Sequence, residues 1–356
     1  MITMVPRFFL GLDIGSTAIK AVVVDASSGA PIWDAYTRHE SRPGAMLLEV
    51  LRRVEQETPV GPGNCQAFAT GSAAGALAPL IGARDVQEVA ATVLAVERRH
   101  PDARTIVELG GHDAKIVIFE EDGGHTRKIV SMNDKCAGGT GAVIDKITAK
   151  LKIPPASLAD LAYSGQSLYP IAGKCGVFAE TDINSLQKRG VGSADLMASL
   201  FEAIVLQNLA VLARGHVLPP RVLLLGGPHA FIPGLCDAWR THIGRIWRER
   251  GLPADPASLD QMVIAPPFAA HLGAIGAIEQ GRMEPDVLSD YTGAARLAAE
   301  SPDPTAVLRE RVTSKGGTTE AALASMAVDQ VKEAIIRAIH KANERGRELG
   351  EQLDKD

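Results

Sequence analysis

Two glycine-rich tips in the sequence carry residue types that suit phosphate and magnesium binding. The first tip covers residues 13–17 (DIGST) and is followed by Lys20, and the second covers residues 108–113 (ELGGHD) and is followed by Lys115. Backbone N–H groups and hydroxyls at such tips can hold phosphate, and Asp13 can anchor a hydrated magnesium ion. Each tip taken alone is equally compatible with an ordinary hairpin turn. A third glycine segment, residues 226–228 (GGP), ends an apolar run where the backbone can approach a ligand closely.

The elements that must position these tips alternate between strand and helix. Each of the first two tips joins two β-rich runs, and this pattern predicts two hairpins about 95 residues apart. Apolar periodicity predicts further strands and helices between and after them. The predicted strands are 65–70 and 221–225, and the predicted helices are 44–57, 84–99, 141–151, 183–214 and 230–250. The alternation indicates an α/β fold, and the repeated hairpin indicates two related lobes.

Two of the four cysteines stand in polar, glycine-rich segments. Cys136 lies within MNDKCAGGTG, and Cys175 follows 39 positions later within KCGVFAETD. Each precedes a predicted helix, whose N-terminus stabilises a thiolate or an anionic cluster. Alternatively, both cysteines could be small hydrophobic residues buried in the core, but their polar neighbours argue against this interpretation. A 4Fe-4S cluster needs four thiolates, so two chains that each supply two would complete it.

The other two cysteines, Cys65 and Cys236, lie in apolar settings and are predicted to be core residues.

Length, charge and composition exclude several classes of protein. The 356 residues favour two or three globular units, and the net charge of -5 gives no basic surface for nucleic acid or an acidic membrane. The N-terminus lacks a signal-peptide pattern, and four cysteines are too few for a secreted disulfide scaffold. No apolar run approaches the ~20 residues of a membrane helix. We therefore expect a cytoplasmic protein with no membrane and no nucleic-acid partner.

The two tips and the glycine pair, in this order, resemble the actin, sugar-kinase and heat-shock-protein-70 superfamily. The resemblance implies two actin-like (ribonuclease H-like) lobes with a nucleotide cleft between them, plus a helical C-terminal tail. We place the first lobe at residues 1–125, the second at 126–283 and the tail at 284–356. Magnesium would lie between Asp13 and Asp113, and Glu108 or Asp113 would orient the attacking water.

The same resemblance assigns roles to a larger set of residues. The small residues Ala270, Gly273 and Gly276 would form the helix that packs near the hinge. Catalytic roles fall to Asp13, Glu108 and Asp113, and Asp13 would also hold Mg²⁺. ATP contacts are expected from Gly15, Ser16, Thr17, Lys20, Gly110, Gly111, Lys115, Gly138, Gly139, Thr140, Gly226, Gly227 and Pro228.

The two cysteine segments narrow the resemblance. MNDKCAGGTG and CGVFAETDI are similar to the cluster motifs of the ATP-dependent activators of 2-hydroxyacyl-CoA dehydratases and of benzoyl-CoA reductase ATPase subunits, over residues 8–281. This implies a homodimer with one 4Fe-4S cluster held by Cys136 and Cys175 of each chain. Ferredoxin or flavodoxin would reduce it, and ATP hydrolysis would drive the electron to a CoA-thioester dehydratase or reductase. The second glycine of CAGGTG, together with LGGP, looks more like the larger activase variants, which leaves the partner open.

The tail has a different resemblance. Segments between residues 291 and 350, including SKGGTT, are similar to the C-terminal end of pyrroline-5-carboxylate reductase, where helices form a dimer. Lys315 stands where that family usually has proline, and the chain contains no G-x-G-x-x-G followed by a helix, so no nicotinamide site accompanies the fragment. We interpret the tail as a dimer-supporting or vestigial appendage.

Two other functions remain open on the sequence. A small-molecule kinase of the same superfamily would pass phosphate to an acceptor rather than to water, and would not need paired cysteines. An ATP-binding sensor would close around nucleotide without productive turnover.

Overall fold

The computed structural model describes residues 6–122, 124–133, 138–283 and 290–293. The chain divides into two units, Met1–Glu300 and Ser301–Asp356, and every described residue belongs to the first. Cys136 and nearly all of the tail lie outside the described residues, so the expectations for them stay predictions.

The first sheet is built around the first predicted hairpin. Strands β1 and β2 are antiparallel, with Asp13 opposite Lys20, and β4 lies parallel to β1 on its other side. The strand order is β3-β2-β1-β4-β5. The strands are β1 Phe8–Ile14, β2 Ala18–Asp25, β3 Pro31–Arg38, β4 Cys65–Thr70 and β5 Arg84–Asp85.

The second sheet repeats this arrangement. Strands β6, β7 and β8 form an antiparallel meander, and β9 lies parallel to β6, giving the order β10-β9-β6-β7-β8. The strands are β6 Thr105–Leu109, β7 Ala114–Asp122, β8 His125–Asn133, β9 Val222–Leu225 and β10 Val263–Ile264. The predicted α/β fold with two related halves is confirmed. Strand β7 (114–122) pairs with β8 (125–133) within the second sheet, and the two sheets divide between β5 and β6. The domain limits set at 125 and 283 stay predictions.

Ten α-helices cover these sheets in the described residues. They are α1 Pro43–Glu57, α2 Ala74–Leu77, α3 Glu88–Arg99, α4 Gly141–Lys150, α5 Gly176–Lys188, α6 Ser193–Leu212, α7 Gly227–Phe231, α8 Pro233–Glu249, α9 Pro256–Met262 and α10 Leu272–Gly281. Short 3₁₀ helices occupy Ala78–Ile81 and Pro155–Asp160.

Two helix predictions need correction. The helix predicted over 183–214 is two helices, α5 and α6, because a turn with Gly190 at φ +84° ends the first. The helix predicted from residue 84 begins at Glu88, because Arg84 and Asp85 pair with β4 and the Gln87 side chain caps α3.

Helices α3 and α10 pack between the two sheets. One hydrophobic cluster combines residues of both sheets, such as Phe68 and Leu225, with both helices. The backbones of α3 and α10 meet so closely that a Cβ at Gly276 would overlap the carbonyl oxygen of Ala91. We call β1–β5 with α1 and α2 the first lobe, and β6–β10 with α4–α9 the second lobe; each has its own core cluster.

Helix α6 is the one described helix long and apolar enough to cross a membrane, judged by length and composition alone. Of its most apolar stretch, 56% is buried inside the protein, where it forms part of the second lobe's core. Core helices of water-soluble proteins commonly have this composition.

Residues 290–293 are fastened to the first lobe. Tyr291 is 1% exposed, its hydroxyl donates to Glu55 at 2.9 Å, and its backbone N–H donates to the Cys65 carbonyl at 3.1 Å. The start of the predicted tail is therefore held against the first lobe at residues 290–293.

Candidate nucleotide and cysteine sites

The tips of the two hairpins face each other across a cleft of about 400 Å³. Asp13 and Thr17 enter it from the first tip, and Glu108, Gly110 and Gly111 enter it from the second. The tips are in contact, because a Cβ at Gly111 would overlap the Thr17 side chain. A cleft of this size suits a nucleotide.

Lys20 and Asp13 form the charged floor of the first tip. Lys20 Nζ lies 2.9 Å from Asp13 Oδ2, and both side chains are nearly buried. Burial opposes the charge of Lys20, but attraction to Asp13 outweighs it and raises the pKa of Lys20. Gly15 tightens the turn by donating its N–H to the Ala18 carbonyl at 3.1 Å. A lysine that stays charged here supplies a fixed cation for phosphate.

The residues fit a phosphate at this tip. Ser16 does not line the cleft in this structure, yet its Oγ is buried and has no hydrogen-bond partner among the described residues. An anion that bonds to this hydroxyl would satisfy it.

The residues also fit a magnesium ion that is shared with phosphate. Asp13 offers a carboxylate beside the cleft. No three His, Cys, Asp or Glu side chains in the described part of the chain are grouped as ligands of one metal ion. Phosphate and water would supply the remaining ligands, as is usual for Mg²⁺.

The second tip places Glu108 on the cleft and Lys115 behind it. Burial raises the pKa of Glu108 to about 7, although Lys115 opposes the shift. The Lys115 side chain is 2% exposed and does not line the cleft; its Nζ lies 2.8 Å from Asp113 and 3.5 Å from Glu108, and it also contacts Glu88. Lys115 is therefore not among the residues that line the cleft, and its predicted ATP contact stays a prediction.

The glycine pair after β9 lies against the second tip and lines the cleft. Gly226 has φ +91°, and a Cβ there would overlap the Leu109 carbonyl, so only glycine lets α7 start this close to β6. Gly227 and Pro228 line the cleft beside it. Apolar side chains of the second lobe, such as Ile144 and Leu158, line the same end, which suits a purine base.

Of the predicted ATP contacts at 138–140, Thr140 bonds to the second tip, and none of the three residues lines the cleft. Thr140 is buried, and its Oγ1 donates to the Gly111 carbonyl at 2.8 Å. Asn208 of α6 donates to the Gly139 carbonyl at 2.8 Å. Gly138 and Gly139 are likewise absent from the cleft lining. These residues connect the phosphate tip to the helices of the second lobe.

Cys175 is the N-cap of α5, as the sequence predicts. Hydrogen bonds from the backbone of Phe178 and Val177 lower the pKa of its thiol. Val177 and Phe178 are 60% and 65% exposed, and Cys175 lines a shallow groove with Phe178 and Leu206. This thiol therefore lies beside an exposed apolar surface.

Cys65 and Cys236 are buried, with pKa values raised by burial to about 12 and about 11, so their prediction as core residues is confirmed.

Several residues at the cleft were not expected from the sequence. Tyr36 of β3 packs its ring against Phe231 of α7 at 4.8 Å, and Arg38 forms an ion pair with Asp145 of α4. Both contacts join the two lobes across the cleft. Gly71, at φ +94°, lies against the Asp13 carboxylate. The position of Gly71 directly after a predicted strand could have indicated its place at the cleft. No pattern in the residues of β3 indicated that Tyr36 and Arg38 would reach the cleft.

Two known protein families match separate parts of the chain, one before and one within the predicted tail. The model of the BadF/BadG/BcrA/BcrD ATPase family matches residues 10–231, which span both phosphate tips, both cysteines and the glycine pair. The chain belongs to this ATPase family. A second model, pyrroline-5-carboxylate reductase dimerisation, matches residues 287–349. Both predicted resemblances are confirmed.

Three relatives illustrate the match to this ATPase family. The (R)-2-hydroxyglutaryl-CoA dehydratase activating ATPase of Acidaminococcus fermentans is 27% identical over 62% of this chain and 82% of its own length. A benzoyl-CoA reductase subunit of Thauera aromatica is 22% identical over 63% and 79%. The solved activator of the 2-hydroxyisocaproyl-CoA dehydratase from Clostridium difficile, with bound ADPNP, is 22% identical over 83% of this chain and 99% of its own, with a TM-score of 0.63.

Proposed function

We propose that this ATPase drives low-potential electron transfer to a CoA-thioester dehydratase or reductase in the cytoplasm. The observation that carries the proposal is Cys175, a half-buried thiol of lowered pKa at a helix N-terminus, in a chain that also forms a two-lobed nucleotide cleft. Relatives of the chain are named as dehydratase activators and as part of a benzoyl-CoA reductase. Ferredoxin or flavodoxin is the proposed electron donor.

Cys136 and Cys175 of two chains would hold the 4Fe-4S cluster, which supplies a one-electron relay. Cys65 and Cys236 are buried in the two cores and are unsuited to this role. The exposed Phe178 beside Cys175 suits a contact with a second copy of the chain, because exposed apolar surface of this kind marks an interface. This supports the proposed homodimer.

ATP hydrolysis would use the residues of the cleft. Mg²⁺ held at Asp13 would neutralise phosphate charge, while Ser16, Thr17 and Lys20 would bind the phosphates. Glu108 would accept a proton from water as the water oxygen bonds to the γ-phosphorus and the bond to ADP breaks. A pKa of about 7 suits this task, since the base is then charged at neutral pH and still takes up a proton.

The contacts around Thr140 suggest how nucleotide could affect the cysteine region. Thr140 caps α4 and bonds to the phosphate tip, and Asn208 of α6 bonds to Gly139. A shift of the tip on hydrolysis would be passed to the segment that contains Cys136.

Anaerobic purification with iron and sulfide analysis tests the proposal. About four of each per two chains are expected. Cys136→Ser and Cys175→Ser should lose the iron, whereas the matched variant Cys236→Ser should retain it. Iron-free wild type, or a Cys175→Ser variant with full iron content, would refute the cluster. Phosphate transfer to a sugar or acyl acceptor by iron-free protein would favour a kinase instead.

A further inference from the structure

Glu88 connects the helix that packs between the two sheets to Lys115 of the second lobe. It stands in the first turn of α3, which the Gln87 side chain fixes by accepting from Ala90 N–H at 2.6 Å. Its carboxylate contacts Lys115 Nζ, which lies on β7 in the second lobe. Helix α3 also packs closely on α10, with its Ala91 backbone against Gly276, and this packing fixes the position of the helix.

Lys115 is held by three carboxylates. Its side chain is 2% exposed, whereas those of Glu88, Glu108 and Asp113 are 27%, 14% and 24% exposed. A buried ammonium needs such partners, because without them it would lose its charge. Lys115 is thus a fixed internal cation whose position depends on all three.

The three carboxylates differ in their relation to the cleft. Glu108 lines the cleft, whereas Glu88 and Asp113 are absent from its lining. Lys115 is nearer to Asp113, at 2.8 Å, than to Glu108, at 3.5 Å. Glu88 and Asp113 therefore hold the ammonium from behind and leave Glu108 the weaker contact, with its carboxylate at the cleft.

We propose that Glu88 is a positioning residue for ATP hydrolysis, which acts by holding the Lys115 ammonium in the place from which Lys115 orients the Glu108 carboxylate. This inference rests on the proposed ATP hydrolysis, but not on the cluster or on the partner enzyme. Because Glu88 belongs to the helix between the sheets, it makes the geometry of the second tip depend on the packing of the two lobes. Lys115 acts from beneath the site and does not bind phosphate.

Steady-state ATPase kinetics of the full-length chain test this role. Glu88→Gln keeps the shape of the side chain and removes its charge. We expect kcat to fall on the order of 10-fold to 100-fold, the loss that follows displacement of a reacting group by up to about 1 Å, with the KM for ATP changed less than about twofold. Glu88→Asp, which keeps the charge, should recover part of the lost kcat.

Glu97→Gln is the matched control. Glu97 lies on the same helix and also pairs with a lysine of the second sheet, Lys128, at 2.7 Å, but at an exposed position away from the cleft. Its kcat should equal that of the wild type. Thermal melting of each variant, followed by circular dichroism, reports on folding; should Glu88→Gln not fold, the Glu88→Asp comparison decides.

A double-mutant cycle with Lys115→Met separates positioning from a merely structural effect. If Glu88 acts through Lys115, Glu88→Gln will cause no further loss of kcat in the Lys115→Met background. Three results would overturn the inference. The losses of kcat from Glu88→Gln and Lys115→Met could be additive, the kcat of Glu88→Gln could equal that of Glu97→Gln, or the KM of Glu88→Gln for ATP could rise in step with a loss of ADP affinity. Wild type without ATP turnover would overturn the inference and the proposed function together, whereas active wild type that lacks iron would overturn the cluster alone.

Discussion

Replacement of Gly71 by alanine should displace the Asp13 carboxylate at the first tip, where we propose that magnesium binds. Gly71 has φ +94°, and an added Cβ would lie 2.6 Å from Asp13 Oδ1 and 2.7 Å from the Ile14 carbonyl oxygen. These separations fall about 0.8 and about 0.7 Å short of an ordinary contact of 3.4 Å. Positive φ costs an alanine about 1–2 kcal/mol, and overpacking costs about 1–3 kcal/mol, so the free energy of unfolding should fall by about 2–5 kcal/mol.

Urea unfolding and ATPase rates measure the two effects. The urea midpoint of Gly71→Ala should fall by roughly 1 M or more. Displacement of Asp13 by most of an ångström should lower kcat on the order of 10-fold to 100-fold. Gly29→Ala is the matched control, because Gly29 has φ +70° but no atom within 4 Å of an added Cβ. It should lose only the conformational cost, about 1–2 kcal/mol, and keep its ATPase activity.

If Gly71→Ala matched Gly29→Ala in both urea midpoint and kcat, the close contact between Gly71 and Asp13 would not matter, and this account of the tip would be wrong.

Three further results are expected. Because burial raises the pKa of Glu108 to about 7, Glu108 loses its negative charge as the pH falls through that value. Initial ATPase rates measured between about pH 5.5 and 8.5 should therefore decline on the acid side, and Glu108→Gln should not show this decline. A flat wild-type profile would exclude Glu108 as the base. In cluster-free protein, iodoacetamide followed by mass spectrometry should label Cys175 before Cys65 and Cys236, and equal labelling would contradict the low pKa of Cys175. The exposed ion pair between Arg38 and Asp145 across the cleft contributes about 0–1 kcal/mol. Arg38→Ala should therefore release a fluorescent ADP analogue up to about fivefold faster in stopped-flow measurements. Slower release would contradict a role of this ion pair in closing the cleft.

Local pattern was enough to predict the hairpin tips and the cysteine N-cap. The β-rich apolar runs of β1, β2, β6 and β7 and the glycines between them are consecutive in the chain. A helix N-cap is likewise set by its immediate neighbours, which explains why the position of Cys175 could be predicted. The break at Gly190 was missed, because apolar periodicity continues on both sides of a short turn.

Partners that are distant in the sequence could not be predicted. Glu88 and Lys115 are 27 positions apart, and Arg38 and Asp145 are 107 apart. No spacing rule connects them, since their contact depends on how α3 packs between the sheets and how the lobes close.

The sequence by itself determined the α/β class, the two hairpin tips, the glycine pair and the position of Cys175 at a helix N-terminus, because each depends on short runs of residues. Only the tertiary structure decided that Lys115 faces three carboxylates rather than the cleft, and that Tyr36 and Arg38 reach the second lobe. The physical reason is that a buried charge takes the partners that packing brings to it, and packing joins segments whose order in the chain does not specify their distance in space.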